Sequence, residues 1–262
     1  MTFKTPIADM HVHSTFSVDG HDTLDAMCRA ALERGVAAIC FAEHYDLNPA
    51  AEEEYNFLQY DRFSAAVDEA RRVYGDRLMI LKGIEFGEPH IYPRELEWVQ
   101  TLDVDVVLGS IHWAPDGFVG DRALRDRLGL ERLYESYYDQ MRQAIRVGGF
   151  DVLAHLDFPK RYVGQVTEPP AWLDEVLRET VRAGVVLEIN TSPLRKGMDE
   201  CSPDLPILTR YAQVGGRRVT LGSDAHACAD IAAGFDRAQR LAWQAGLGPV
   251  GWWQQRRFVA SG

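Results

Sequence analysis

Eight histidines punctuate the chain: His11, His13, His21, His44, His90, His112, His155 and His226. Six of them stand at or beside the end of a short apolar run. His11 and His13 close Ile7–His13, His44 closes Ala37–His44, and His112 closes Asp105–His112. His155 lies near the end of Phe150–Leu156, and His226 ends Arg218–His226. A further run, Leu78–Phe86, carries Glu85 in the equivalent place, and Asp224 precedes His226 by two residues. Residues two apart in a strand project from the same face, which pairs His11 with His13 and Asp224 with His226. Imidazole mixed with carboxylate is a donor set for Zn, Mn or Fe. One H-x-H says little. Six imidazoles at the ends of five strands, with acids between them, point to more than one metal ion.

A lone strand-end histidine is more often a hydrogen-bonded core or surface residue than a ligand, and that reading stands for His21 and His90 taken singly. It fails for the set, because burying six imidazoles and several carboxylates without cations would leave charge unpaired. Structural zinc sites usually draw cysteines from one local loop. Here the donors span the chain, which favours catalysis.

Seven runs must position these groups: the six above and Val185–Thr191. Most are rich in Val, Ile or Leu, as expected of strands buried on both faces. Helical patterns lie between them. Thr23 can cap Leu24–Arg34; Tyr60–Tyr74 stops at Gly75; Pro93 opens a helix to about Thr101. Leu130–Val147, Trp172–Ala183, Pro203–Gln213 and Asp230–Ala245 each run up to a glycine within two residues. The alternation predicts an α/β fold with parallel strands. Seven units in a chain of this length favour an irregular (β/α)7 TIM-like barrel, a single domain over residues 1–262. A doubly wound sheet is the alternative, but the first strand–helix turn lacks G-x-G-x-x-G. Active sites of such barrels collect at the C-terminal rim of the strands, where the histidines fall.

Composition narrows the function classes. The 262 residues include 28 Lys and Arg against 39 Asp and Glu, a net charge of −11. That balance disfavours a protein held on the nucleic-acid backbone. The longest unbroken apolar run, Val36–Ala42, is far short of the ~20 residues of a membrane span. Residues 1–6 lack the features of a signal peptide, and the four cysteines form no C-x-x-C pair, so a cytoplasmic protein with reduced thiols is expected.

The motifs in order resemble the PHP (polymerase and histidinol phosphatase) family. They are Asp9-Met-His-Val-His-Ser, Ser17-Val-Asp-Gly-His, Phe41-Ala-Glu-His and Gly83-Ile-Glu-Phe-Gly-Glu-Pro-His. Leu108-Gly-Ser-Ile-His, Asp151-Val-Leu-Ala-His-Leu-Asp, Leu187-Glu-Ile-Asn-Thr-Ser and Leu221-Gly-Ser-Asp-Ala-His follow. The resemblance, which spans residues 9–226, looks most like the histidinol-phosphate phosphatase branch. It implies a seven-stranded barrel with two to three divalent ions at its rim. The first ion would take His11, His13, Glu85 and Asp224; Glu85 would bridge to a second held by His112 and His155. A third would take Asp19, His44 and His226. Some members carry His where Asp19 stands, and Glu43 replaces an Asp common in the second-strand motif. The resemblance also implies Arg161 and Arg195 as the phosphate grip, with bidentate guanidinium geometry suited to it.

The implied reaction is hydrolysis of a small phosphate monoester, L-histidinol phosphate above all, in histidine biosynthesis. Glu85, His112 and Asp224 would be catalytic, and water held between two cations would attack phosphorus. Three divalent ions against Asp19, Glu85 and Asp224 leave the pocket about +3, and the two arginines raise it to about +5. Surface charge beyond a Debye length of ~8–10 Å is screened, so an acidic protein can still bind a phosphate dianion. Candidates for the acid that protonates the leaving group are Asp224, Glu43, His21 and Asp157. Phe16, Trp113, Tyr162 and Glu88 could contact an imidazole and an amine. The alternatives are another small phosphoester, or a metal-stabilised module without catalysis that serves a partner.

Overall fold

Each of the seven apolar runs contains a strand, and the strands form one parallel sheet. The computed structural model describes residues 7–50, 58–165 and 172–260; residues 1–6, on which the reading of the amino terminus rests, lie outside it. The first four strands are β1 (Ala8–Val12), β2 (Ala38–Tyr45), β3 (Met79–Gly87) and β4 (Val106–Ser110). A short antiparallel hairpin, β5 (Trp113–Ala114) and β6 (Gly117–Phe118), precedes β7 (Val152–Leu153), β8 (Val186–Asn190) and β9 (Val219–Gly222). A second hairpin, β10 (Gly251–Gln254) and β11 (Arg257–Ala260), follows. The helices are α1 (Leu24–Glu33), α2 (Tyr60–Tyr74), α3 (Pro93–Val99), α4 (Arg122–Leu128) and α5 (Leu130–Val147). Then come α6 (Lys160–Val163), α7 (Leu173–Ala183), α8 (Ser192–Arg195), α9 (Leu205–Gln213) and α10 (Phe235–Gln244).

The sheet runs β1-β2-β3-β4-β7-β8-β9. It curls until its edges meet, the irregular seven-stranded barrel that the pattern predicts. At the seam the Asp224 amide donates to the His11 carbonyl at 2.7 Å and the His13 amide to the Ala225 carbonyl at 2.8 Å. Below them the Asp9 carboxylate replaces the ladder, accepting from the Ser223 amide (2.9 Å), Ser223 Oγ (2.6 Å) and the Ala232 amide (2.8 Å). Burial lifts this carboxyl to about 6 against those three bonds.

Side-chain parity decides what reaches the mouth of the barrel. Ala38, Cys40 and Ala42 of β2 join Leu81, Val106, Leu108, Val152 and Val186 in an interior cluster. Ile39 and Phe41 instead pack outward with Met27, Phe63 and Val67 of α1 and α2. Residue 44 therefore shares the interior face. The full pairing of β2 with β3 sets His44 beside Glu85. Strand β1 changes parity: Ala8 and Met10 are interior, yet Val12 is outward. Asp9 pairs with Ile39 and Val12 with Phe41, so three steps on β1 match two on β2. This bulge turns His11 and His13 to the mouth after Met10 has already faced in.

The floor is closed by the second hairpin, whose Trp253 enters the interior cluster. Its turn residues Gln255 and Arg256 lie at φ 50 and 60. Their strain is offset by bonds from both amides to Asp105 and from Arg256 Nε to Asp151 at 2.5 Å. The expected helix Asp230–Ala245 is broken: Ala232 and Gly234 take positive φ, and α10 begins at Phe235. Among the described residues no helix is long and apolar enough to cross a membrane.

Candidate metal centre

Glu85 is the hub. Its Oε2 lies 3.1 Å from His11 Nε2, 3.5 Å from His13 Nε2 and 3.1 Å from His44 Nδ1. Its Oε1 lies 2.8 Å from His155 Nε2 and 3.5 Å from His112 Nε2. One carboxylate thus stands between two sets of imidazoles, the disposition a bridging ligand needs. Three groups gather donors within 4.8 Å of one another: His11, His13 and Asp224; Glu85, His112 and His155; His13, His44 and His226. Asp19 completes the last corner, with Oδ2 3.1 Å from His226 Nε2 and 3.6 Å from His44 Nε2. All nine sequence-derived donors therefore converge on one mouth. The structure adds that His13 lies between two of the groups, its ring stacked on His44 at 4.2 Å and on His226 at 4.4 Å.

The electrostatics follow from this crowding. Burial alone would lift the Glu85 carboxyl, but the His11 and His44 imidazoles hold it well below the usual carboxylate range. Asp224 is likewise lifted by burial and pulled well below its usual range by Arg161 and His11. Burial, reinforced by the neighbouring His44 and His226, pushes His13 far below the imidazole range. His155 is lowered mainly by burial, in spite of its bond to Glu85. His13 and His155 are thereby in the neutral state that ligation requires. His11, His44, His112 and His226 are instead raised, burial being outweighed by their carboxylate neighbours, and a bound cation would displace those protons. His13 Nε2 is buried without a hydrogen-bond partner among the described residues, 3.6 Å from Asp224 Oδ1. Such an orphaned acceptor among carboxylates fits a cation, and the donor set can hold several divalent ions.

A cleft of about 760 Å³ opens over the cluster. Arg161 and Arg195 both line it. Arg161 Nη1 donates to Asp224 Oδ2 at 2.8 Å, and its guanidinium lies over the Phe158 ring at 5.1 Å. Its Nε and Nη2 are buried and have no partners among the described residues. Arg195 Nη2 donates to the Asp224 carbonyl at 3.0 Å, and its buried Nη1 has no partner among the described residues. Trp113, Phe118 and Tyr162 form an aromatic side of the cleft, and His21 and Asp19 also line it.

Several sequence candidates lie elsewhere. Glu43 points off the interior face and accepts from Ser14 Oγ and Ser17 Oγ, each at 2.6 Å; burial lifts its carboxyl to about 7. Ser17 Oγ also stands 3.2 Å from His13 Nδ1, so Glu43 braces that ring indirectly. Asp157 is buried against Lys160 Nζ at 2.5 Å and bonded to Ser202. Glu88 is fully buried and accepts from the His112 and Trp113 amides, which stops it from reaching a substrate. His90 pairs with Gln140 at 2.8 Å. Phe16 packs on Phe63.

The motifs assign no role to two carboxylates beside the cluster, Asp46 and the Glu188 of Leu187-Glu-Ile-Asn-Thr-Ser. Asp46 stands 3.0 Å from His112 Nδ1 and 3.3 Å from His44 Nδ1. Glu188 stands 2.7 Å from His11 Nδ1. Signals existed for both: Asp46 follows His44 by two, on the same strand face, and an acid inside the apolar run Val185–Thr191 needs a partner.

Comparison with known proteins shows the family and the fold. A family model described as PHP domain matches residues 9–192. A probable histidinol-phosphatase of Clostridium acetobutylicum is 29% identical over 252 residues, covering 93% of this chain and 96% of its own. The histidinol-phosphatase of Lactococcus lactis subsp. lactis is 25% identical over 257 residues, 91% of each chain. A solved structure of histidinol phosphate phosphatase from Lactococcus lactis, complexed with zinc, L-histidinol and phosphate, has a TM-score of 0.84. It covers 97% of this chain and 98% of its own at 21% identity, a likeness of fold.

Proposed function

The chain belongs to the PHP domain family, and on that footing we propose that it is a metal-dependent phosphoric monoester hydrolase that converts L-histidinol phosphate to L-histidinol and phosphate. The observation that carries the reading is the pairing of unlike groups in one cleft. Guanidinium N–H donors of Arg161 and Arg195, unpartnered among the described residues, stand at the mouth of the imidazole–carboxylate cluster. Relatives named histidinol-phosphatase, similar over nearly the full length of both chains, supply the choice of alcohol.

His11, His13, Glu85 and Asp224 would hold one ion, Glu85, His112 and His155 a second, and Asp19, His44 and His226 a third. Divalent Zn, Mn or Fe bound there supplies Lewis-acid charge and makes water nucleophilic near neutral pH. Arg161 and Arg195 bind the phosphate oxygens and offset charge as it shifts in the in-line transition state. Trp113, Phe118 and Tyr162 offer ring faces to the imidazole of the leaving group.

Proton delivery to the departing alkoxide falls to His21. Glu43 and Asp157 are buried off the cleft, and Asp224 is held ionised beside Arg161. His21 lines the cleft, its main-chain amide donating to the His226 carbonyl at 2.8 Å. Replacement by alanine should lower kcat on an alkyl phosphate by about 10²-fold while sparing p-nitrophenyl phosphate, whose leaving group needs no acid. Equal losses on both substrates would remove His21 from that role.

The reading takes residues 1–262 as one catalytic domain working in the cytoplasm on a small-molecule substrate. It is tested by reconstituting the protein with Zn, Mn or Fe and assaying a panel of phosphoesters that includes L-histidinol phosphate. That compound should be turned over with the highest kcat/KM. A protein that retains metal and hydrolyses none of the panel would be a non-catalytic module, and preference for a nucleotide or sugar phosphate would reassign the substrate.

A further inference from the structure

Glu188 is fully buried on β8, behind the donor cluster, and none of the reaction roles above uses it. A carboxylate has no proton to give, so His11 Nδ1 must donate to Glu188 Oε1 across their 2.7 Å contact. That leaves Nε2 as the atom turned to Glu85, 3.1 Å away. Glu188 Oε2 accepts from the main-chain amide of His155 at 2.8 Å and from Asn190 Nδ2 at 3.1 Å. Asn190 Nδ2 also lies 3.3 Å from Asp224 Oδ2. Glu188 therefore ties together the segments that end β1 and β7, and Asn190 extends the link to the end of β9.

Two backbone features fit this role. His155 sits at φ 22, a left-handed conformation that is costly for a non-glycine residue. It follows the interior Ala154, so only this twist brings its ring to the same mouth. Gly222 leaves the space: a Cβ there would stand 2.0 Å from Glu188 Oε1 and 2.7 Å from His11 Cβ.

We propose that Glu188 is a positioning residue that fixes the Nδ1–H tautomer of His11 and holds His155 inward, preorganising two of the metal pockets at once. Outer partners of this kind orient the ring and raise its basicity as a ligand. The inference rests on the metal reading given above.

The test compares wild type, E188Q and E188D, using Zn²⁺ in competition with a chromophoric chelator and the d–d absorption of Co²⁺-loaded protein. The glutamine turns an N–H either to His11 Nδ1 or to the His155 and Asn190 donors that Glu188 satisfies; the aspartate keeps the charge but is too short to reach all three. E188Q should bind at least one Zn²⁺ about 10–100-fold more weakly and change the Co²⁺ envelope. E188D should show the same change in smaller degree. Affinities within threefold of wild type and an unchanged Co²⁺ spectrum would overturn the proposal. Failure of both variants to fold would also overturn it, assigning Glu188 to barrel stability. Wild-type protein that binds no Zn²⁺ would instead bring down the parent reading, an outcome visible before any variant is compared.

Discussion

Arg161 offers the sharpest test of the phosphate site, because the structure divides its donors between two tasks. Nη1 is committed to Asp224 at 2.8 Å, whereas Nε and Nη2 are buried beside the cleft and unpartnered among the described residues. A hydrogen bond to a charged group is worth about 1.5–3 kcal/mol. Two such bonds to phosphate amount to about 3–6 kcal/mol, or about 10²–10⁴ in kcat/KM at 1.4 kcal/mol per tenfold. R161A should lose that much on L-histidinol phosphate. R161K restores the charge but not the planar fork, and should recover less than half of the loss in free energy. The contact with Asp224 is the confounding factor, since its loss could loosen a ligand. Without Arg161 the Asp224 carboxylate keeps Asn190 and Ser192, each at 3.3 Å. Metal content must therefore be measured by mass spectrometry on the assayed samples, and inorganic phosphate used as a product inhibitor. Full metal loading with weaker phosphate inhibition and the stated loss in kcat/KM supports the assignment. A kcat/KM within threefold of wild type, or a loss cured entirely by excess zinc, would refute it.

Three further outcomes are expected. E85Q should lose at least one bound ion and about 100-fold or more in activity, because five imidazoles converge on this carboxylate; retention of full metal by mass spectrometry would deny Glu85 its bridging place. D157N breaks a buried pair with Lys160 and should cost about 3–5 kcal/mol in denaturant unfolding, while folded enzyme keeps kcat/KM within about threefold; an activity loss beyond that returns Asp157 to the candidate acids. Glu43 has a folded pKa near 7, lifted by burial from 4.5, so the native state binds the extra proton and stability falls as pH rises between those values. The swing is up to about 3 kcal/mol, and E43Q should flatten it when metal-free protein is unfolded at pH 5 and pH 8; an unaltered pH slope would show that Glu43 does not titrate there.

The barrel was readable because its strands are short apolar runs and its helices stop at glycines. The β5–β6 hairpin is also within reach: Pro115-Asp116-Gly117 is turn chemistry between the apolar run Asp105–His112 and the helical pattern Leu130–Val147. The closing hairpin was not. Gln255 and Arg256 are poor residues for a left-handed turn. What holds them there is Asp105, 150 residues away along the chain, and Asp151. Nothing local announces a turn whose stability is tertiary.

The same distinction runs through the site. Which residues meet was legible, because imidazoles and acids at strand ends have few other reasons to recur. How they face was not. Strict alternation would send His11 outward after Met10, and His155 outward after Ala154. The first is rescued by an extra residue between Asp9 and Val12, the second by a left-handed backbone at His155. Both irregularities are felt by Glu188, which grips the His11 ring and the His155 amide together. A bulge is defined by the register against a neighbouring strand, and β1 takes its register from β2 rather than from its own residues. The pocket's chemistry is therefore local in composition but non-local in orientation, and the carboxylates behind the ligands are where those two requirements are reconciled.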